Sequence, residues 1–418
     1  MIDEKQEQLY SCDIVCQRSH SDSGIDIWKG FTNMFTNLPT ANGQSVSDFF
    51  NGDALRVLVM RLDTIGDVVM LGPALRTLRE QLPGAEITLM TSSEGSEAAY
   101  LLPWVDHVLV HDRPWQDDSS LNVLDAQEEV DLIHRLRESQ FSMAVIFTSL
   151  SQSSSAAARV CHMAGIPYRV GFSKEPGEGM LSHHLSLLAD ETHQVDRNLS
   201  LLEAIGIHAQ NNRPELYISD EVQERANELL HAVRVNPRAP YIVLAPGASC
   251  SARRYASFRF AEATRILAAQ TELQLVIVGN SHEVESLEPV LKVAEENLYG
   301  NLHSLVGKTS VPELAAIIRQ AGLTIAHNSA PMHIADAFQC PMVILYSGTD
   351  LVSQWMPRNA PARLLCHPVF CSPCYSTVCP FDMKCLDIRP EEVAIAALEM
   401  LDEQVFRRIP LRQLAVNI

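Results

Sequence analysis

Twice along this chain, short runs of buried-strand character alternate with segments of helical spacing. This repeated alternation constrains the fold more than any single motif does. The first series has strand-like runs at 55–61 (LRVLVMR), 86–91, 106–111, 143–148 and 168–172. Helical spacing falls between and after them, at 73–82, 94–102, 126–138, 153–164 and 192–205. The second series opens at 241–245 (YIVLA) and continues with strands at 274–278, 302–306, 324–327 and 342–346. Its helices are expected at 258–269, 283–296, 311–321 and 331–338. Near-continuous apolar strands are buried on both faces, so each series predicts an open parallel sheet covered by helices. The expected class is α/β, with two Rossmann-like open parallel-sheet domains facing a central cleft. Ligands of such sheets bind beyond the strands' C-terminal ends.

The expected boundaries follow. A weakly ordered, Ser/Asp/Asn/Gly-rich extension covers 1–53, and the first domain covers 54–215. A linker region with a helix covers 216–240, the second domain 241–390 with a Cys-rich loop at 366–388, and a C-terminal helix and tail 391–418. The formal charge of −19 repels phosphate backbones, which argues against nucleic acid as a partner. The apolar runs are strand-sized, far short of the roughly 18 apolar residues a spanning helix needs. The polar start MIDEKQEQLYSCDIV lacks the form of a secretory signal, so the expected compartment is the cytoplasm.

Three strand–turn–helix segments could carry chemistry. In MRLDTIGDVVMLGPAL, Gly66 permits a tight turn and Asp67 starts the next helix. A carboxylate there is either a helix cap or a general base aimed at a hydroxyl. In APGASCSARRYASF, Arg253 and Arg254 are either a solvated pair or a forked clamp for a diphosphate. In TIAHNSAPMHIADAFQ, Asn328 and Ser329 are candidate caps of a helix whose N-terminus could bind phosphate. His327 and His333 flank it as core histidines or ligand contacts. Six of the ten cysteines are scattered, whereas Cys371, Cys374, Cys379 and Cys385 form C-x2-C-x4-C-x5-C. Four close thiolates could hold zinc or an iron site, although the spacing is not that of a paired-knuckle ribbon. Reduced structural thiols are the alternative.

Taken in order, IGDVVMLGPAL, HQVDRNLSLLEAIGI, PGAS, VGNSHEVE, GKTSVPELAAII, NSAPMHIADAF and PEEVAIAALEML resemble the signatures of glycosyltransferase family 9, the heptosyltransferases. The resemblance covers most of 55–400. It implies the GT-B fold and an inverting single displacement with no required metal. It makes Asp67 the base, with Thr64 and Gly66 in the acceptor-side loop. It assigns Arg253, Arg254, Ser329, Ala330 and His333 to the donor diphosphate, and Glu283 to the nucleoside. The implied donor is a nucleotide sugar, ADP-heptose, and the implied acceptor a glycolipid or glycan such as the lipopolysaccharide inner core. Membrane contact would then be peripheral, at the inner face of the inner membrane.

Three departures bear on the donor side. Where relatives continue into Lys-Arg-Trp-Pro, this chain has Arg253-Arg254-Tyr255-Ala256. Asn328 replaces a common Asp, and Ala330 a Gly. Three alternatives therefore stay open: another nucleotide sugar such as a UDP-sugar, sugar epimerisation on the same architecture, or a non-catalytic glycan- or nucleotide-binding member.

Overall fold

The computed structural model describes residues 55–112, 126–173, 180–186 and 188–408. The extension at 1–53 and the tail at 409–418 lie outside the described residues. The described chain forms two compact units that meet in sequence between Ile218 and Ser219.

In chain order the first unit contains β1 (Arg56–Arg61), α1 (Ile65–Gln81), β2 (Glu86–Thr91), α2 (Ser93–Ala99), β3 (His107–Val110) and α3 (Ala126–Glu138). It continues with β4 (Met143–Ile146), α4 (Ser155–Met163), β5 (Tyr168–Ser173), β6 (His183–Ser186) and α5 (Gln194–Glu203). Its six strands run in the order β3-β2-β1-β4-β5-β6, all parallel. Five of the six β1 residues are buried, as the apolar run requires. β6 was not legible in the sequence because HHLS carries no apolar run. It forms as an edge strand through its register with β5, Val170 opposite His183.

The second unit contains α6 (Asp220–Ala232), β7 (Tyr241–Ala245), α7 (Ser257–Gln270), β8 (Gln274–Ile277), α8 (Glu288–Glu296) and β9 (Leu302–Ser304). It continues with α9 (Val311–Gln320), β10 (Leu323–His327), α10 (Ala330–Ala337), β11 (Met342–Leu345), α11 (Val352–Trp355), β12 (Ala362–Leu365) and α12 (Pro390–Arg408). Its sheet order is β12-β11-β10-β7-β8-β9. Counted from each unit's first strand, both sheets therefore follow 3-2-1-4-5-6, the nucleotide-binding doubly wound order. In such a sheet the order reverses beside the first strand, here between β1 and β4 and between β7 and β10.

Two helices expected outside the domains belong to the second unit. α6 packs on α9, with Arg225 Nε 2.9 Å from Glu313 Oε1. Glu313 is also the N3 residue of the capping box that opens α9. Val393, Ala394, Ala396, Ala397 and Met400 of α12 join the core made by β7, β8 and β10.

Candidate active site

The chain leaves β1 through Arg61, whose side chain is wholly buried. An ionised guanidinium is stable there only with close anionic partners. Arg61 has two. Its Nε lies 2.7 Å from Asp63 Oδ2, and its Nη2 lies 2.5 Å from Asp67 Oδ1. Nη2 also donates to Ser149 Oγ, 2.9 Å away in the turn after β4. The cluster therefore spans the first sheet's reversal point.

Asp67 occupies N3 of α1 and completes a capping box with Thr64. Its Oδ2 accepts from Thr64 Oγ1 at 2.9 Å and from the Thr64 N–H at 3.3 Å. This corrects one expectation. Gly66 is not a turn residue but sits buried in the first turn of α1, because the capping box starts that helix at Ile65, well before Pro73. Side-chain exposure rises from 0% at Arg61 through 8% at Asp63 to 13% at Asp67, so Asp67 is the member that a ligand can reach. Burial pushes the Asp63 carboxyl up to about 6, with Arg61 opposing the rise and the Asp67 charge adding to it. Gln152 donates to the other Asp63 oxygen. The loop closes only around a glycine: a Cβ on Gly95 would lie 2.4 Å from Thr91 Oγ1 and 2.9 Å from the Asp63 carbonyl oxygen.

At the second reversal point the buried group is neutral. His327, the last residue of β10, accepts at Nε2 from the Tyr255 N–H at 3.0 Å. Its Nδ1 must then carry the proton, which it donates to the Gly247 carbonyl at 3.0 Å. Burial lowers His327 to about 4, so it stays uncharged. It is a core histidine that staples both ends of the PGAS loop to β10. Tyr255 is also buried and donates its hydroxyl to the Ile388 carbonyl at 2.7 Å.

The arginines flank this staple. Arg253 ends a 3-10 turn, pairs with Asp350 at 2.8 Å and donates from Nε to Thr349 Oγ1 at 3.2 Å. With 29% of its side chain exposed, it keeps a face toward solvent. Arg254 instead turns back to the Ala248 carbonyl at 3.1 Å. Asn328 is not a cap: its Oδ1 accepts from the Ser347 N–H at 3.1 Å and the Ser347 hydroxyl at 3.2 Å. The amide thus ties β10 to the turn after β11, a role that needs no negative charge. Ser329 stands at the N-cap position of α10 without capping it. Its N–H donates to the His327 carbonyl at 2.8 Å. Its Oγ is buried with no hydrogen-bond partner among the described residues. Ala330 opens α10, and His333, one turn in, meets the Trp355 ring edge-on at 6.3 Å. Glu283 ends a 3-10 turn rather than starting a long helix, and caps Asn280 through a 2.9 Å bond from its N–H. Its carboxylate fills the space over Gly247, where a Cβ would lie 2.1 Å from Oε1. The structure thus brings Glu283 to the PGAS loop, and Arg253 to the turn after β11.

The sequence profile of glycosyltransferase family 9 (heptosyltransferase) matches residues 130–384, more than half of the 418. The chain belongs to glycosyltransferase family 9. It is a glycosyltransferase with the GT-B fold. It is similar to lipopolysaccharide heptosyltransferase 3 of Escherichia coli K12, at 27% identity over 70% of this chain and 82% of the relative. A family 9 glycosyl transferase of Veillonella parvula DSM 2008 superposes with a TM-score of 0.70 at 21% identity, covering 85% of this chain and 99% of that one. The E. coli ADP-heptose lipopolysaccharide heptosyltransferase II superposes at 0.66 and 22%, covering 84% and 100%. At these identities the superpositions carry the fold alone.

For this family 9 chain, the sequence pointed to Asp67, Arg253 and the start of α10 but missed Arg61, Asp63, Gln152, Thr349 and Asp350. Their common signal is position at or just past the C-terminal end of β1, β4 or β11, where ligands of parallel sheets bind. The Cys-rich loop docks onto the turn after β11 and the turn after β7. Cys374 N–H donates to the Gly348 carbonyl at 3.0 Å, Tyr375 N–H to that of Thr349 at 2.8 Å, and Ala252 N–H to that of Thr377 at 3.1 Å. Cys371, Cys374, Cys379 and Cys385 line one cavity of about 260 Å³. Among the described residues no three His, Cys, Asp or Glu are grouped closely enough to hold a metal ion. All four are free thiols, and burial raises Cys385 above the usual thiol range.

Proposed function

We propose that the chain transfers a heptose from ADP-heptose to a hydroxyl of a lipopolysaccharide inner-core or similar glycan acceptor, with inversion. The observation that carries the reading is Asp67, a carboxylate fixed through both oxygens at the sheet's reversal point yet open at one edge. The acceptor oxygen forms its bond to the anomeric carbon as the bond from that carbon to the diphosphate oxygen breaks. The acceptor's proton passes to Asp67, and the nucleoside diphosphate leaves with the electron pair. Arg253 supplies positive charge to the leaving group, and the Ser329 hydroxyl and the start of α10 supply further donors. Glu283 beside Gly247 serves the nucleoside. These are side-chain and backbone roles that need no metal. The donor assignment draws on the likeness to heptosyltransferase II and on heptosyltransferase 3. No helix among the described residues is long and apolar enough to cross a membrane, so a cytoplasmic enzyme would meet a lipid-borne acceptor peripherally.

Incubation with ADP-heptose and a lipid A–Kdo acceptor, read by mass spectrometry, should show a product heavier by one heptose. Calorimetry should show ADP-sugars binding more tightly than UDP-sugars. Preferred UDP binding would end the heptose assignment, and absence of product with either donor would favour a binding-only member.

A further inference from the structure

Arg61 carries one positive charge between two carboxylates in a site from which water is largely excluded. Paired with Asp67 alone, that charge would make the carboxylate a poor proton acceptor, because the pair's attraction is strong at low dielectric. The pairing is shared instead. Asp63 takes Nε at 2.7 Å while Asp67 takes Nη2 at 2.5 Å, and the turn after β4 holds Asp63 through Gln152 and Arg61 through Ser149. Arg61 Nε and Nη1 are buried without a hydrogen bond among the described residues, so Asp63 meets Nε as an ion pair, while Nη2 makes the guanidinium's hydrogen bonds to Asp67 and Ser149.

We infer that Asp63 is a positioning residue for sugar transfer: by drawing on the Arg61 guanidinium it preserves the basicity of Asp67 and aims its exposed edge. This rests on the reading of Asp67 as the base. The groups around Asp63 are Arg61 from β1, Asp67 from α1, the neutral Gln152 after β4, and Ser92 after β2, whose hydroxyl donates to the Asp63 carbonyl at 2.6 Å. Arg197 of α5, itself facing Asp190, adds positive field at Arg61. Burial holds the Asp63 carboxyl at about 6, so Asp63 gains its charge as the pH rises through that value. Asp67 becomes the stronger base over the same interval, and the transfer rate rises with it.

The test is the pH profile of kcat in the full chain. The wild-type profile should rise through about pH 6. Asp63→Asn should lower kcat about tenfold, leave donor KM within about twofold and abolish that limb, and Asp63→Glu should restore part of it. Gln152→Leu removes a hydrogen bond that favours the ionised form and should move the limb to higher pH. A wild-type profile in Asp63→Asn, or an unmoved limb in Gln152→Leu, overturns the inference while leaving Asp67 as base. An active Asp67→Asn enzyme overturns the base itself. Carbon NMR titration of the Asp63 carboxyl reads the coupling without substrate. Its transition should fall on Asp67→Asn, and an unmoved transition sinks the proposal.

Discussion

The two sheets share one strand order, yet the turns at their reversal points bury opposite kinds of group. After β1 the buried residue is a charged arginine, and the group left reachable is a carboxylate. After β7 and β10 the buried residue is a neutral histidine, and the groups near the surface are arginines. The same backbone geometry thus presents a carboxylate in one unit and cations in the other. Burial decides which partner is held, and the less buried partner is the one a ligand can reach.

The sharpest way to break this comparison is to remove the reachable carboxylate. Asp67→Asn should lower kcat by about 10²–10⁴-fold, with donor affinity by calorimetry nearly unchanged. A fall in donor affinity with kcat preserved would move Asp67 to the binding side.

The next effect is on stability. His327→Phe removes the partners of the Tyr255 N–H and the Gly247 carbonyl, which should cost about 2–5 kcal/mol by urea unfolding. His327 is lowered from 6.5 to about 4, so the unfolded chain binds more protons than the folded one in that interval. Stability from this group is complete above pH 6.5 and falls as the pH drops toward 4, by about 3 kcal/mol in all. The Phe variant should lack that part of the acid loss. Asp63, raised rather than lowered, runs the other way: its contribution falls as the pH rises from about 4 to 6.

A smaller effect is expected at the exposed cation. Arg253→Ala should weaken ADP binding roughly ten- to hundredfold, and Arg253→Lys less, because Lys keeps the charge and loses the fork. Arg254→Ala should weaken binding less than Arg253→Ala, since Arg254 is engaged with the Ala248 carbonyl. The reverse ranking would reassign the clamp. Last, EDTA should leave the rate unchanged within about twofold; a large loss restored by zinc or iron would return the Cys-rich loop to consideration as a metal site.

Much of the fold was legible because parallel strands buried on both faces are written as apolar runs. β2 and β7 fall where the runs at 86–91 and 241–245 place them. The strands missed, β6 and β12, are edges whose short sequences HHLS and ARLL gain their structure from register with a neighbour. Helix starts were harder. The Thr64–Asp67 capping box begins α1 at Ile65, a start the apolar periodicity beginning at Pro73 does not show. The site was legible only as single residues at strand ends. Nothing local in LDT marks Asp63 as buried, because its burial comes from β2 and the turn after β4 closing over it.

The sequence alone therefore determined two parallel α/β units, their order, the family's ordered signatures and the candidate positions Asp67 and Arg253. Only the tertiary structure decided which charges are buried, which hydrogen bonds they make, and so which residues are held and which remain reachable. The physical reason is range. Strand and helix patterns are set by neighbours along the chain, whereas the ionisation of Asp63 and the neutrality of His327 depend on desolvation by segments distant in sequence.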